Sequence, residues 1–195
     1  MSIVKIGKQI WMSENLNVDK FRNGDSIPQA KTEEEWLRAA KKKQPAWCYF
    51  ENDSVNGKIY GKLYNWFAVN DKRGLAPKGW RVASLEDWEQ LNDLLGGDNK
   101  AGQKIKSIRG WKGNGNGTNS SGFSALPGGS RGNKGEFWMY SIGYNGNWWS
   151  SSEYDNESAY YWYLDHVAAN YDITTDFGYS DRAKGDGYSV RCIRE

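Results

Sequence analysis

The sequence predicts an α+β fold, with helices gathered in the first half of the chain and strands in the second. Three observations carry this. Thr32-Glu33-Glu34-Glu35 and Ser84-Leu85-Glu86-Asp87 each place a hydroxyl N-cap three residues ahead of an acid, the reciprocal start signal of a helix. From Phe137 onward the chain breaks into short aromatic or alternating runs that read as strands. Twenty-three glycines with only 38% hydrophobic residues favour a loop-rich architecture over a helical bundle.

The elements follow in order. Ile3–Ile6 and Gln9–Met12 flank Gly7-Lys8 and form a hairpin. A loop with a turn at Asn23-Gly24-Asp25 leads to a helix over 32–43, with Trp36, Leu37, Ala39 and Ala40 on its apolar face. Lys41-Lys42-Lys43 suits the negative end of its dipole, and Pro45 stops it. Trp47–Phe50 reads as a strand. Leu63, Trp66, Phe67 and Asn70 recur at helical spacing and predict a helix from about residue 62. The helix over 84–95 is the clearest, with Trp88, Leu91, Leu94 and Leu95 on one face and Gly96-Gly97 as its stop. Residues 102–122 read as a surface loop, because Gly113-Asn114-Gly115-Asn116-Gly117 lacks the lysine and βα context of a phosphate loop. Phe123–Arg131 returns to the core, and 137–144 and Trp148-Trp149 read as strands. The closing run alternates, with Tyr188, Val190 and Cys192 on one side and Ser189, Arg191 and Arg194 largely on the other, the pattern of a half-buried strand.

The length of 195 residues suits one domain over 1–195, and eleven Trp and twelve Tyr supply its core. A net charge of +2 gives no bulk-charge reason to expect nucleic acid. No apolar run is long enough to span a membrane, and no signal peptide is visible, leaving a cytosolic protein or a secreted domain without its leader. Cys48 and Cys192 either form one long-range disulfide or remain two buried thiols.

Between Glu153 and Gly187 the composition changes. Seven of the twelve tyrosines lie between Tyr154 and Tyr188, interleaved with Asn, Asp and Ser. Two readings fit: rigid tyrosines and adaptable polar groups of a recognition surface, or tyrosines covering a small sheet. On the first reading the candidate ligand-binding residues are Tyr154, Asp155, Asn156, Tyr161, Tyr163, Asp165, His166, Asn170, Tyr171, Asp172, Tyr179 and Asp181, in a recognition region of about 148–190. Alternation over 159–165 sets Tyr160, Trp162 and Leu164 on one face and Tyr161, Tyr163 and Asp165 on the other, with Trp162 and Leu164 marking the inward face. No catalytic constellation accompanies them. His166 is the sole histidine, which excludes multi-His metal sites and leaves no triad partner elsewhere. Glu153, Asp155 and Glu157 read as solvated acids rather than a glycosidase pair. No metal or cofactor is expected, although oxygen ligands are plentiful enough for a structural calcium.

Seven ordered motifs carry a family resemblance over nearly the whole chain. They are Ile10–Leu16, Tyr60–Trp66, Gly79–Ser84, Glu86–Trp88, Gly122–Gly129, Trp149–Glu153 and Tyr188–Cys192. Together they resemble the Fibrobacter succinogenes major paralogous domain. The resemblance implies a C-type lectin-like fold related to the formylglycine-generating sulfatase-modifying domain, with two main helices and the final strand beside the N-terminal hairpin. It implies export or surface attachment, and a protein or glycan ligand on a cell or phage surface. It also implies a link to diversity-generating retroelements, whose variable proteins are diversified at Asn-type codons near the C-terminus. The copper-binding cysteine pair of the sulfatase-modifying relatives is not matched, and neither are the Glu-Pro-Asn and Trp-Asn-Asp tripeptides of calcium-dependent sugar sites. The sequence therefore leads to a binding module rather than an enzyme.

Overall fold

The chain ends meet in one antiparallel sheet. The computed structural model describes residues 2–139, 141–166 and 177–195. The hairpin forms as its turn predicts, β1 (Ile3–Ile6) pairing with β2 (Gln9–Met12) around Gly7. Strand β9 (Cys192–Arg194) lies between β2 and β5 (Trp80–Val82), giving the order β1-β2-β9-β5. The last strand thus sits beside the N-terminal hairpin.

Both capping boxes are built. Helix α1 (Glu33–Lys41) starts with Thr32 Oγ1 accepting from Glu35 N at 3.1 Å, while the Glu35 carboxylate accepts from Thr32 N at 3.1 Å. Its anchor is Trp36, fully buried, with Nε1 donating to Gly185 O at 2.8 Å. Helix α4 (Leu85–Leu95) repeats the device with Ser84 and Asp87, and Gly96 closes it in the left-handed conformation at φ 103°. Its buried face is Trp88, Leu91, Asn92 and Leu95, and Leu94 points outward instead of into the core.

Three expectations are corrected and one open alternative is decided. The helix from residue 62 is replaced by β4 (Leu63–Tyr64), paired with β3 (Trp47–Cys48), and a single turn α3 (Trp66–Val69). Asn65 causes the break, because its Oδ1 accepts from both Ala46 N and Ala68 N and so caps a helix that begins after it. A short helix α2 (Ser54–Tyr60) precedes β4, and α5 (Asp98–Ile105) enters the segment read as loop. Residues 137–139 and 141–144 form only isolated bridges, since Phe137 lies against Phe50 and the Arg131 guanidinium rather than in a ladder. Finally, Cys48 and Cys192 are free thiols in separate core clusters. Burial pushes their pKa values up, to about 11 and about 12, so neither is a thiolate nucleophile at neutral pH.

The second sheet holds the tyrosine-rich segment, in the order β6 (Asn145–Glu153), β7 (Ser158–Asp165), β8 (Phe177–Ala183). One face packs on α4 through Trp148, Trp162 and Leu164, and the other on Tyr188 and Val190 through Trp149 and Tyr161. The closing run 188–193 is therefore buried on both sides, not half-buried. Arg191 has no exposed surface, and its guanidinium donates to Met12 O, Phe123 O and Asn15 Oδ1 at 2.8–3.0 Å. Arg131 is likewise buried and donates to the carbonyls of Ala30, Lys31, Thr32 and Gly135.

Asp186, between β8 and β9, gives a test of this core. Burial pushes its carboxyl up to about 6 despite hydrogen bonds from Tyr188 Oη and the Asn133 amide. A carboxyl with a raised folded-state pKa favours the native state at low pH, and this contribution fades as pH rises from about 4 to about 6. Asp186→Asn is therefore expected to raise stability relative to the parent by ~1–3 kcal/mol more at about pH 7.5 than at about pH 4.5. Urea titrations at both pH values check this, and an equal difference at the two would refute it.

Candidate functional site

The hairpin joining β6 and β7 is fixed from within. Asp155 Oδ1 accepts from the amides of Glu157 and Ser158 at 2.8 and 2.7 Å, and these bonds hold its carboxyl below the usual range. The buried Lys184 reaches the same turn, donating to the Glu153 carboxylate and to Asp155 O. Asp155 thus shapes the turn, while Asn156 is exposed at its tip.

That turn presents three tyrosines. Tyr154 and Tyr179 are 54% and 48% exposed, with Tyr160 half-buried between them. Tyr154 meets Tyr160 edge-on at 5.3 Å, and Tyr160 meets Tyr179 at 5.9 Å. Asp181 lies opposite Tyr160 in the ladder, and Tyr179 lies opposite Trp162, so all four occupy one face of the sheet. Trp162 touches Tyr179 at 5.5 Å and stacks on Trp88 at 6.0 Å, tying the exposed rings to the core.

The alternation over 159–165 leads to a wrong assignment for Tyr161. It is 8% exposed, stacks on Tyr188 at 4.9 Å and meets Trp149 at 6.5 Å. Its hydroxyl bonds the Arg182 guanidinium and is the main cause of that group's raised pKa. Tyr163 is half-buried against the same cluster. Period-two reasoning assumes one wet face, and here both faces are covered. Asp165 and His166 lie at the far end of the strand, with His166 Nδ1 2.6 Å from Asp165 Oδ1 and its ring 4.8 Å from that of Tyr144. The structure therefore brings together Tyr154, Asn156, Tyr179 and Asp181, but not Asp165 and His166 with them. Asn170, Tyr171 and Asp172 lie outside the described residues.

Sequence reasoning missed Tyr160, set on the inner side, and Glu89, Asn92 and Asp93 of α4, which border Tyr179 across a groove. The helix periodicity drew attention only to the apolar face Trp88, Leu91, Leu94 and Leu95. Among the described residues no three His, Cys, Asp or Glu side chains converge as a metal site, and no helix is long and apolar enough to cross a membrane.

The model of the Fibrobacter succinogenes major domain matches residues 4–194. The chain belongs to that family. No curated protein and no solved structure matches it. The match takes in all three sheets and α1 to α5, so this Fibrobacter succinogenes major domain carries its tyrosine cluster within the family's own fold rather than on an appended segment.

Proposed function

We propose that this domain is a ligand-binding module, and that its fold is a C-type lectin-like scaffold presenting Tyr154, Tyr160 and Tyr179 to a protein ligand. The exposed, mutually edge-on ring cluster carries the reading. Large aromatic side chains held rigidly at the surface are the usual anchors of protein recognition, because they bury much area while ordering few torsions. Paired termini, two capped helices and a sheet clamped on both faces support the scaffold assignment. The reading places the domain outside the cell or on its surface. Its Tyr, Asn and Asp composition between 154 and 187 suits diversification by a retroelement, which sequencing the locus across isolates tests: a uniform segment would refute it.

The functional test is capture on surface-protein and glycan arrays, with and without calcium. Tyr154→Ala with Tyr179→Ala is expected to weaken protein capture about tenfold or more, with stability changed by less than ~1 kcal/mol. Tyr161→Ala, by contrast, lowers stability through the core. Capture of sugars alone, dependent on calcium, would replace this reading with that of a lectin in the functional sense.

A further inference from the structure

A groove of about 440 Å³ separates the exposed face of β8 from α4, lined by Glu89, Asn92, Asp93, Trp162, Gly178 and Tyr179. Its wall has two chemistries. One side is aromatic, with Tyr179 held 5.5 Å from Trp162, which is itself stacked on the buried Trp88. The other side is anionic, with Glu89 and Asp93 one helical turn apart on α4. Asp181 adds a third carboxylate two positions along from Tyr179 on the same face.

Among the described residues no basic side chain lines this groove. On the neighbouring helix α5, Lys104 is already committed, its Nζ donating to Leu95 O at 2.7 Å. Some acids elsewhere are neutralised: Asp71, Asp87, Glu153, Glu157 and Glu195 each meet a lysine or arginine within 4 Å. Among the described residues, Glu89, Asp93 and Asp181 are in no ion pair. Like charges at i and i+4 on a helix repel, so leaving them bare beside two aromatic rings weakens α4 for no gain within the fold.

We propose that the groove receives an arginine side chain of the protein ligand. The guanidinium lies on the ring of Tyr179 and donates to Glu89 and Asp93. A cation over an aromatic face and a planar fork meeting carboxylates are both favourable. Arginine suits the site better than lysine because its head is planar and weakly hydrated. This proposal rests on the recognition surface described above and names the chemistry of its partner.

The probe is N-acetyl-arginine-N-methylamide, titrated into the intact domain by NMR, with the neutral citrulline analogue as control. Arginine is expected to shift the indole N–H of Trp162 and the amides of Gly178 and Tyr179, and citrulline to leave them in place. Glu89→Gln with Asp93→Asn, both away from the buried face of α4 apart from the partial cover of Glu89, is expected to weaken the arginine effect about fivefold or more. Equal shifts with citrulline, shifts spread over every acidic surface, or an unchanged response in the double variant would each overturn the proposal. A captured protein separates the two readings. If the Glu89/Asp93 variant captures it normally while the Tyr154/Tyr179 variant does not, the arginine pocket fails and the recognition surface stands.

Discussion

Arg191→Ala is expected to destabilise the domain by ~3–5 kcal/mol, enough to leave much of the chain unfolded at ambient temperature. Arg191 lies wholly inside, and its guanidinium donates to carbonyl and amide oxygens rather than to a carboxylate. Burial pushes its pKa down to about 9, so it is still charged at neutral pH. What holds it are two carbonyls and an amide oxygen, plus the ring of Phe123 4.2 Å from its Cζ. These acceptors come from two places far apart in sequence: Met12 and Asn15 at and just after the end of β2, and the segment at Phe123. Asn15 is itself a hub, accepting from Trp148 Nε1 and donating to Tyr60 O. Removing the guanidinium leaves buried acceptors unpaired and opens a void where β2, β6 and the final run converge. Arg191→Met separates the two effects, because methionine refills part of the volume without supplying a donor. Urea midpoints for both variants check the expectation. A loss below about 1 kcal/mol in the alanine variant would show that water replaces the guanidinium without penalty.

Trp88→Ala is expected to lower stability by ~3–5 kcal/mol, through a cavity rather than unpaired polar groups. Trp88 is fully buried on α4, with ring centroids of Trp11, Phe123, Trp162 and Trp148 at 5.0, 5.7, 6.0 and 6.1 Å. It joins α4 to β2, β6 and β7 at once. Trp88→Phe keeps part of the stacking and should lose markedly less. The same substitution has a reach beyond stability, since Trp162 stands between Trp88 and Tyr179. Thermal melts give the first effect, for which ~2–4 °C per kcal/mol is the scale at this size. Broadened NMR signals from Tyr179 in the alanine variant would report the second.

Much of this fold was legible wherever one local signal had one physical meaning. The two capping boxes and the hairpin are of that kind, because the hydrogen bonds that define them lie within a few residues. The short helices were not. Helix α2 exposes Val55 and Ile59, so its apolar residues carry no inward stripe, and it contains Gly57, whose added Cβ would come within 2.3 Å of the Tyr49 ring. A glycine that reads as a helix breaker is required there by close packing. Helix α5 follows Gly97 with no side-chain cap, which removes the usual start signal. At the site, tyrosine composition singled out the hairpin on which the proposal rests, but alternation misplaced Tyr161. Which face of a strand meets water depends on what covers it, and Tyr188 and Val190 come from the end of the chain. The groove acids on α4 could be found only once β8 lay beside them.

The place of β9 in the middle of its sheet also sets an order of events in time. Trp11 of β2 pairs with Ile193, 182 positions later (193 minus 11), so during synthesis the first hairpin waits for almost the whole chain. At about 5–20 residues per second this is roughly 9–36 s in which the inner edge of β2 stands open. Strand β5 pairs with no strand but β9 among the described residues, so it too stays unzipped until then. Closure of this sheet is a late event, slow by reason of its topology, and a nascent chain halted before residue 192 has no strand with which to complete it.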